Sequence, residues 1–447
     1  MKRSMDMLNG SLWDKILSFS LLVAATAILE QFFIATDIVI VGNFANGDKT
    51  AAMAGVGTDL SILGMIILLL LGLALGSNVV IAQSIGRRDK EAVEKAVHTA
   101  VLFSLVAGVC VAILGQFIAE PILGLLDIPP EVMPNAISYL EIYLFGMPII
   151  LLYNFQAAIF RSVGETQMPL YALLLASIFN IVLDLLFVCV LKLDVAGVAI
   201  ATVLANAVSA LVLLRRLLQR DWIRLDLKKL RIDRATFAEI IRIGLPAGIQ
   251  NAVFSLANVV IQSAINSLGT MVIAASSAAL ILELITYSIF SSFGQACTTF
   301  VGQNYGARQL ARCRKILKLC ILEDFVLTML CIIIAYAFGK DLLALINDNP
   351  EVVALAYIRL ITVFSAYFFS LLYDVMSGYL RGFGVSFLPS LLTITGVCGV
   401  RMLWVAFVFP VQHNFQWLMY VYPVSLGVTA LLIFGALMWC RPSRRFQ

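Results

Sequence analysis

Asn180 and Asp184 stand four residues apart in an otherwise apolar run, so on a helix they share one face. Thr202 opens the next apolar run, and Tyr153 and Asn154 lie near the end of the one before. A carboxylate, an amide oxygen and a hydroxyl on adjacent helices form an all-oxygen set suited to a hard cation. The same carboxylate can take a proton instead. Interhelical hydrogen bonding is the structural alternative for such Asn and Thr side chains. Other ionisable residues also fall inside apolar runs: Glu30, Asp37, Glu283, Glu323, Asp324, Asp374 and Arg401. A charge there costs at least about 2–3 kcal/mol, so it is expected to face a cavity or a partner. Glu323 and Asp324 are close enough in sequence to meet the bases Arg314–Lys318. Arg401 is a candidate counter-ion to Asp374 or Glu283.

Long apolar elements must carry these residues. The chain has 447 residues, of which 61% are hydrophobic and 13% charged. Its mean hydropathy is +0.97. A soluble globular chain is nearer half apolar and a quarter charged, so this composition excludes disorder and disfavours a soluble enzyme. A bilayer span needs roughly 20 apolar residues, and twelve such spans would consume nearly the whole chain. Apolar runs fall near 16–41, 51–82, 96–119, 136–159, 168–191 and 196–214, then 243–267, 271–300, 316–338, 352–379, 386–409 and 416–440. The first run is too long for a leader peptide and reads as a membrane helix. The fold expected is all-α and integral to the membrane. Gly146-Met147-Pro148 and Gly244-Leu245-Pro246 are expected bends.

Other chemistries lack raw material. There are two histidines, and none of the eight cysteines forms a C-x-x-C pair. No phosphate-binding Gly-rich loop is present. No enzyme activity and no cofactor are expected, and the net charge of +4 is too small to suggest a nucleic-acid partner.

The loops alternate in charge. Twenty-six basic residues fall in one set of loops and the termini, while the opposite set holds only Lys49, Lys192 and Lys340. Basic loops stay cytoplasmic, so both termini are expected inside. The stretch from Arg215 to Arg242 is the longest polar segment. It is expected as a cytoplasmic connector, either lying along the anionic membrane surface or simply solvated. An offset of 220 residues pairs Gln83 with Gln303, Gly86 with Gly306 and Arg88 with Arg308. It also pairs Pro130-Glu131-Val132 with Pro350-Glu351-Val352, Tyr153 with Tyr373, Arg161 with Arg381, Gly164 with Gly384, and Pro169 with Pro389. The chain therefore reads as two homologous six-helix lobes, 1–218 and 236–447, joined by a linker at 219–235. An even number of spans per lobe implies a pseudo-twofold axis along the membrane normal.

The segments Gln31-x5-Asp37-Ile-Val-Ile-Val-Gly42 and Ala51-Ala-Met-Ala-Gly-Val-Gly57 resemble the multidrug and toxic compound extrusion (MATE) family. So do Ala82-Gln-Ser-Ile-Gly86, Tyr153-Asn154 with Phe160-Arg-Ser-Val-Gly164, Asn180-Ile-Val-Leu-Asp184 and Gly197-Val-Ala-Ile-Ala-Thr202. Together they look like its DNA-damage-inducible-type branch, and the likeness covers nearly the full chain. Glu30, Glu165 and Asn206 depart from the usual Gln, Asp and Gln.

The resemblance implies a secondary antiporter of the bacterial cytoplasmic membrane, conferring drug resistance by exporting amphipathic, cationic compounds against H+ or Na+. It implies a cation site at Asp37, Asn180, Asp184 and Thr202, with Asn154 nearby; if sodium is the coupling ion, the first four would be its ligands. Tyr153, Glu30, Glu283, Asp374 and Arg401 are candidates for the cargo cavity or a second-lobe site. The partners expected are an organic small molecule and membrane lipid, with the chain acting as a monomer. A lipid-linked oligosaccharide flippase of the same wider superfamily is the alternative, and a non-transporting scaffold is disfavoured by the number of intramembrane acids. The charge split makes a direct prediction: a cysteine placed at Asp48 or Asn347 should react with an impermeant label from outside the cell, and one at Lys228 should not. Labelling of Lys228→Cys alone from outside would reverse the orientation.

Overall fold

The computed structural model describes residues 5–45, 48–124, 128–219 and 223–442. Lys2, Arg3, Arg220, Arg444 and Arg445, which contribute to the charge split, lie outside the described residues, as does the 220–222 part of the expected linker. Among the described residues there is no β-strand. The helices are α1 (Trp13–Phe44), α2 (Lys49–Gly86), α3 (Lys90–Gly124), α4 (Met133–Phe145), α5 (Met147–Ser162), α6 (Gln167–Val190) and α7 (Asp194–Leu217). They continue with α8 (Arg234–Asn266), α9 (Thr270–Gly306), α10 (Leu310–Ala344), α11 (Pro350–Gly382), α12 (Phe387–Val408) and α13 (Phe415–Cys440). Eleven are long and apolar enough to span a bilayer, and twelve spans result if α4 and α5 count as one.

Local sequence sets where these helices begin and bend. Asp48 caps α2 by accepting from the N–H groups of Thr50 (2.9 Å) and Ala51 (3.1 Å). Asn349 caps α11 ahead of Pro350, whose missing N–H is harmless in a first turn. The α4–α5 pair bends by 52° at Gly146, where Pro148 follows. Helix α8 continues through Pro246 as one helix.

The chain divides into two compact units. One comprises Met1–Met5 with Ala25–Ile241; the other comprises Asp6–Ala24 with Arg242–Gln447. The first half of α1 thus groups with the second unit. There Asn304 donates to the Met7 carbonyl (3.1 Å) and Phe19 packs edge-on against Phe300 (5.6 Å). In the first unit α6 packs along α7, and α3 along α4 and α5. In the second, α11 packs against α9, α10 and α13. Large apolar side chains such as Phe117, Leu211, Phe407 and Leu431 face outward, while Ser, Thr, Asn and acidic groups are buried. That inside-out distribution suits a hydrocarbon surround.

The 220-residue repeat is visible bond by bond. Arg88 and Arg308 both take left-handed φ, 57° and 59°, at the same helix end. Gly164 and Gly384 do likewise at 81° and 84°. Asn78 donates to the Ala158 carbonyl (3.0 Å), and Thr298, 220 residues on, donates to the Gly378 carbonyl (3.1 Å).

The connector is docked within the first unit. Ile223 and Leu225 are buried, and the Leu225 N–H donates to the Leu217 carbonyl (3.1 Å). The Asp226 N–H donates to His98 Nε2 (3.0 Å), whose Nδ1 donates to the Glu94 carbonyl (2.6 Å). Asp233 accepts from the Thr236 hydroxyl (2.7 Å) and N–H (2.9 Å), bonds that hold its carboxyl below the usual range.

In the second unit Gly378 lets α11 cross α9 closely: a Cβ there would run into the Gly294 carbonyl oxygen and the Thr298 hydroxyl. Both are rigidly placed, so Gly378→Val should destabilise by about 1–3 kcal/mol through overpacking. The measurement is the apparent melting temperature of the purified chain in detergent. An unchanged value would mean that the crossing is loose.

Candidate functional site

The polar centre of the first unit gathers on α1, α2, α4, α6 and α7. Asp37 Oδ2 accepts a 2.7 Å hydrogen bond from the Thr202 hydroxyl, joining α1 to α7 across 165 residues. Asp184 and Asn180, one helical turn apart on α6, face the same carboxylate closely enough to act on it. Asp37, Asn180, Asp184 and Thr202 are all buried, Asp184 completely. Asp37 Oδ1, both Asp184 oxygens and the Asn180 amide have no hydrogen-bond partner outside this group among the described residues. Buried polar atoms are normally satisfied, so this set is suited to hold a small cation or a proton.

Local structure turns Asp184 inward. Immediately after it, residues Leu186–Val190 form a π turn, closed by the Leu191 N–H bonding to the Leu186 carbonyl (3.0 Å). Such insertions cluster at functional sites.

Sequence reasoning missed three members. Asp59 on α2 is fully buried, and neither of its oxygens has a hydrogen-bond partner among the described residues. It meets the criterion applied to the other acids, an ionisable side chain inside an apolar run. Tyr139 on α4 lies within electrostatic reach of Asp37, Asp59 and Asp184, and Tyr143 within reach of Asp37 and Glu30. Their four-residue spacing was the only signal available. Among the described residues, no lysine or arginine acts on Asp37, Asp59 or Asp184.

The remaining first-unit candidates have other neighbours as well. The Asn154 amide donates to the Ile150 carbonyl of its own helix (2.9 Å). Glu30 lies within reach of Tyr143 and Arg161, and Tyr153 is buried beside Glu30 and Arg161.

The second unit solves the burial of its acid differently. Arg359 clamps Glu283 with two bonds, Nε to Oε1 at 2.6 Å and a terminal nitrogen to Oε2 at 2.8 Å. A further Arg359 nitrogen donates to the Ser276 hydroxyl, and the Tyr367 hydroxyl donates to the Glu283 carbonyl (3.2 Å). Arg401 is therefore not the counter-ion expected for Glu283. It is not paired with Asp374 either: it donates to Asn258 Oδ1 (2.7 Å) and sits over the rings of Tyr422 (4.7 Å) and Phe254 (5.1 Å). Asp374 lies against Gly294 and within reach of Arg381, which also donates to Gln250 (2.7 Å). Spacing hid the partners of Glu283 and Arg401 because they come from other helices, whereas Arg381 lies seven residues from Asp374 on α11 itself. Glu323 and Asp324 point inward, away from the basic cluster expected to meet them: Asp324 accepts from Thr328 (3.0 Å), and neither Glu323 oxygen has a partner.

At the repeat offset, Arg359 corresponds to Tyr139. The built-in cation of the second unit is thus replaced by a neutral phenol in the first.

The family model MatE matches residues 23–186 and 246–406. The probable multidrug resistance protein YoeA of Bacillus subtilis is 26% identical over 436 residues, covering 95% of this chain and 93% of that protein. The probable multidrug resistance protein NorM of Thermotoga maritima is 23% identical over 84% of this chain and 81% of its own length. A solved outward-facing multidrug resistance MATE family transporter of the MOP superfamily superposes with a TM-score of 0.89. It shares 21% identity and covers 99% of this chain and 100% of its own.

The Glu283–Arg359 pair makes a prediction of its own. Either Glu283→Gln or Arg359→Met leaves one buried charge uncompensated and should destabilise by about 3–5 kcal/mol. The double variant Glu283→Gln/Arg359→Met should recover most of that loss. Additive losses in a thermal-denaturation cycle would show that the two residues do not act as a pair.

Proposed function

The chain belongs to the MatE family, and from that membership we propose that it is a secondary active antiporter exporting amphipathic organic compounds in exchange for H+ or Na+. The names of its multidrug-resistance relatives support organic cargo. The observation that carries the coupling half is the group Asp37, Asp59 and Asp184, buried acids on which no cationic side chain among the described residues acts.

The mechanism follows from that imbalance. Asp37 and Asp184 face each other in a low-dielectric interior, where two adjacent negative charges are costly. A proton on one carboxylate oxygen removes the repulsion. A Na+ held by oxygens of Asp37, Asp184, Asn180 and Thr202 would do the same. In either case α1, α6 and α7 can draw together, and the surfaces they offer to cargo change. The cation drives this only because it binds the two arrangements unequally, and by linkage cargo must then release it. On this reading residues 1–218 and 236–447 act as the two lobes. The chain works as a monomer in the bacterial cytoplasmic membrane with both termini inside.

Cargo charge is set partly by the second unit. Arg401 has no carboxylate partner among the described residues. Its position over two aromatic rings accommodates cargo with an anionic group beside the cationic one expected. The flippase alternative needs several free cations for a pyrophosphate head. Arg359 is held by Glu283, and Arg381 is bonded to Gln250, which leaves too few in this unit.

Asp37→Asn and Asp184→Asn keep the shape of the side chain and remove its charge. Each variant should reach the membrane and fold, yet lose gradient-driven efflux in proteoliposomes under imposed pH or sodium gradients. Wild-type transport with unchanged dependence on both gradients would remove that residue from the coupling site.

A further inference from the structure

The second unit holds a cavity of about 260 Å³ where the start of α10 meets the ends of α11 and α13. Arg314 and Arg441 stand at it, with Leu317, Tyr379, Leu437 and Met438. Arg441 takes a left-handed φ of 39° where α13 ends, and its Nε donates to the Met438 carbonyl (2.9 Å), fixing the guanidinium there. Neither arginine has a carboxylate partner among the described residues.

The repeat shows what such a cavity is built to hold. At the 220-residue offset its positions correspond to Glu94, Val97, Ile159, Leu217 and Leu218 of the first unit. There the chain supplies its own occupant, the connector. Ile223 and Leu225 bury their side chains, with 2% and 1% exposed, and Leu225 bonds to the Leu217 carbonyl. Lys229 pairs with Glu94 at 3.1 Å. The occupant is therefore an apolar body carrying a charge opposite to that of residue 94. In the second unit the residue at that place is Arg314, so the charge requirement is inverted. The following residues, Ser443-Arg444-Arg445-Phe446-Gln447, carry the wrong sign to meet it.

We propose that this cavity binds an anionic phospholipid of the cytoplasmic leaflet, its phosphate held between Arg314 and Arg441 and its apolar part lying over Leu317, Leu437 and Met438. The leaflet rests on the orientation argued under the proposed function; the chemistry does not. Two guanidiniums on an apolar floor match a charged head joined to a hydrocarbon body, as do basic pockets between helices on the cytoplasmic side of other membrane proteins.

Native mass spectrometry of the purified full chain, titrated with phosphatidylglycerol or phosphatidylcholine, tests this directly. The wild type should retain phosphatidylglycerol about tenfold more tightly than does Arg314→Gln/Arg441→Gln, with little difference for phosphatidylcholine. Leu317→Trp, which fills the floor and keeps both arginines, should also weaken phosphatidylglycerol. Free glycerol phosphate should not displace the lipid. Equal retention by the wild type and a double variant with an unchanged melting temperature would overturn the proposal. Displacement by glycerol phosphate would overturn it in favour of a simple anion site. A rise in lipid retention on removing residues 443–447 would overturn it in favour of the chain's own tail. Labelling of Lys315→Cys in intact cells separates the orientation: reaction from outside would overturn the leaflet and leave the detergent binding result standing.

Discussion

A carboxylate buried among apolar helices must have its charge neutralised, and the two units of this chain meet that demand in opposite ways. In the second unit the neutralising group is covalent: Arg359 grips both oxygens of Glu283. In the first, the position equivalent to Arg359 is Tyr139, which reaches Asp37, Asp59 and Asp184 but brings no positive charge. The cost of an unpaired ion in a low-dielectric interior is large, and among the described residues no lysine or arginine acts on Asp37, Asp59 or Asp184. Arg359 fixes the charge state of Glu283. On the function proposed above, the lack of such an arginine beside Asp37 and Asp184 leaves those two acids to a proton or Na+.

The same backbone supports both solutions because the repeat constrains turns and crossings more tightly than side chains. Arg88 and Arg308 adopt the same left-handed conformation, and the cross-helix bonds from Asn78 and Thr298 fall on carbonyls 220 residues apart. These are places where hydrogen bonding or close approach admits few alternatives. Between them the helices present different chemistry: Glu94 against Arg314, and Tyr139 against Arg359. Duplication supplied two equal frames, and divergence at a few buried or rim positions gave them different electrostatics.

Much of the frame was legible in the residues. Apolar length located the spans, Gly146 with Pro148 marked the observed bend, and a constant offset exposed the repeat. Asn180 and Asp184 could be placed on one face because helical periodicity is local. What failed was non-local. Arg401 and Asp374 look like partners within one half of the chain, yet Arg401 bonds to Asn258 on α8, a helix whose rotation no short-range pattern reports, while the cation near Asp374 is Arg381, seven residues on along α11. The connector reads as lying along the membrane surface or as solvated because its charges dominate, but Ile223 and Leu225, on either side of Arg224, are the part that packs.

Irregular turns accompany the polar residues in both units. A π turn follows Asp184, and two flank Arg401, at Ile394–Gly399 and Trp404–Val408. One inserted residue rotates the rest of a helix by about 100° relative to an uninterrupted α-helix. A helix that must direct a charged group inward near its middle and apolar residues outward near its end gains from that correction. In α6 it follows Asp184, fully buried, and its last residue, Val190, and the next, Leu191, face outward. In each unit, then, the helix phase is reset within a few residues of a buried ionisable group, where the inward and outward demands on one helix meet.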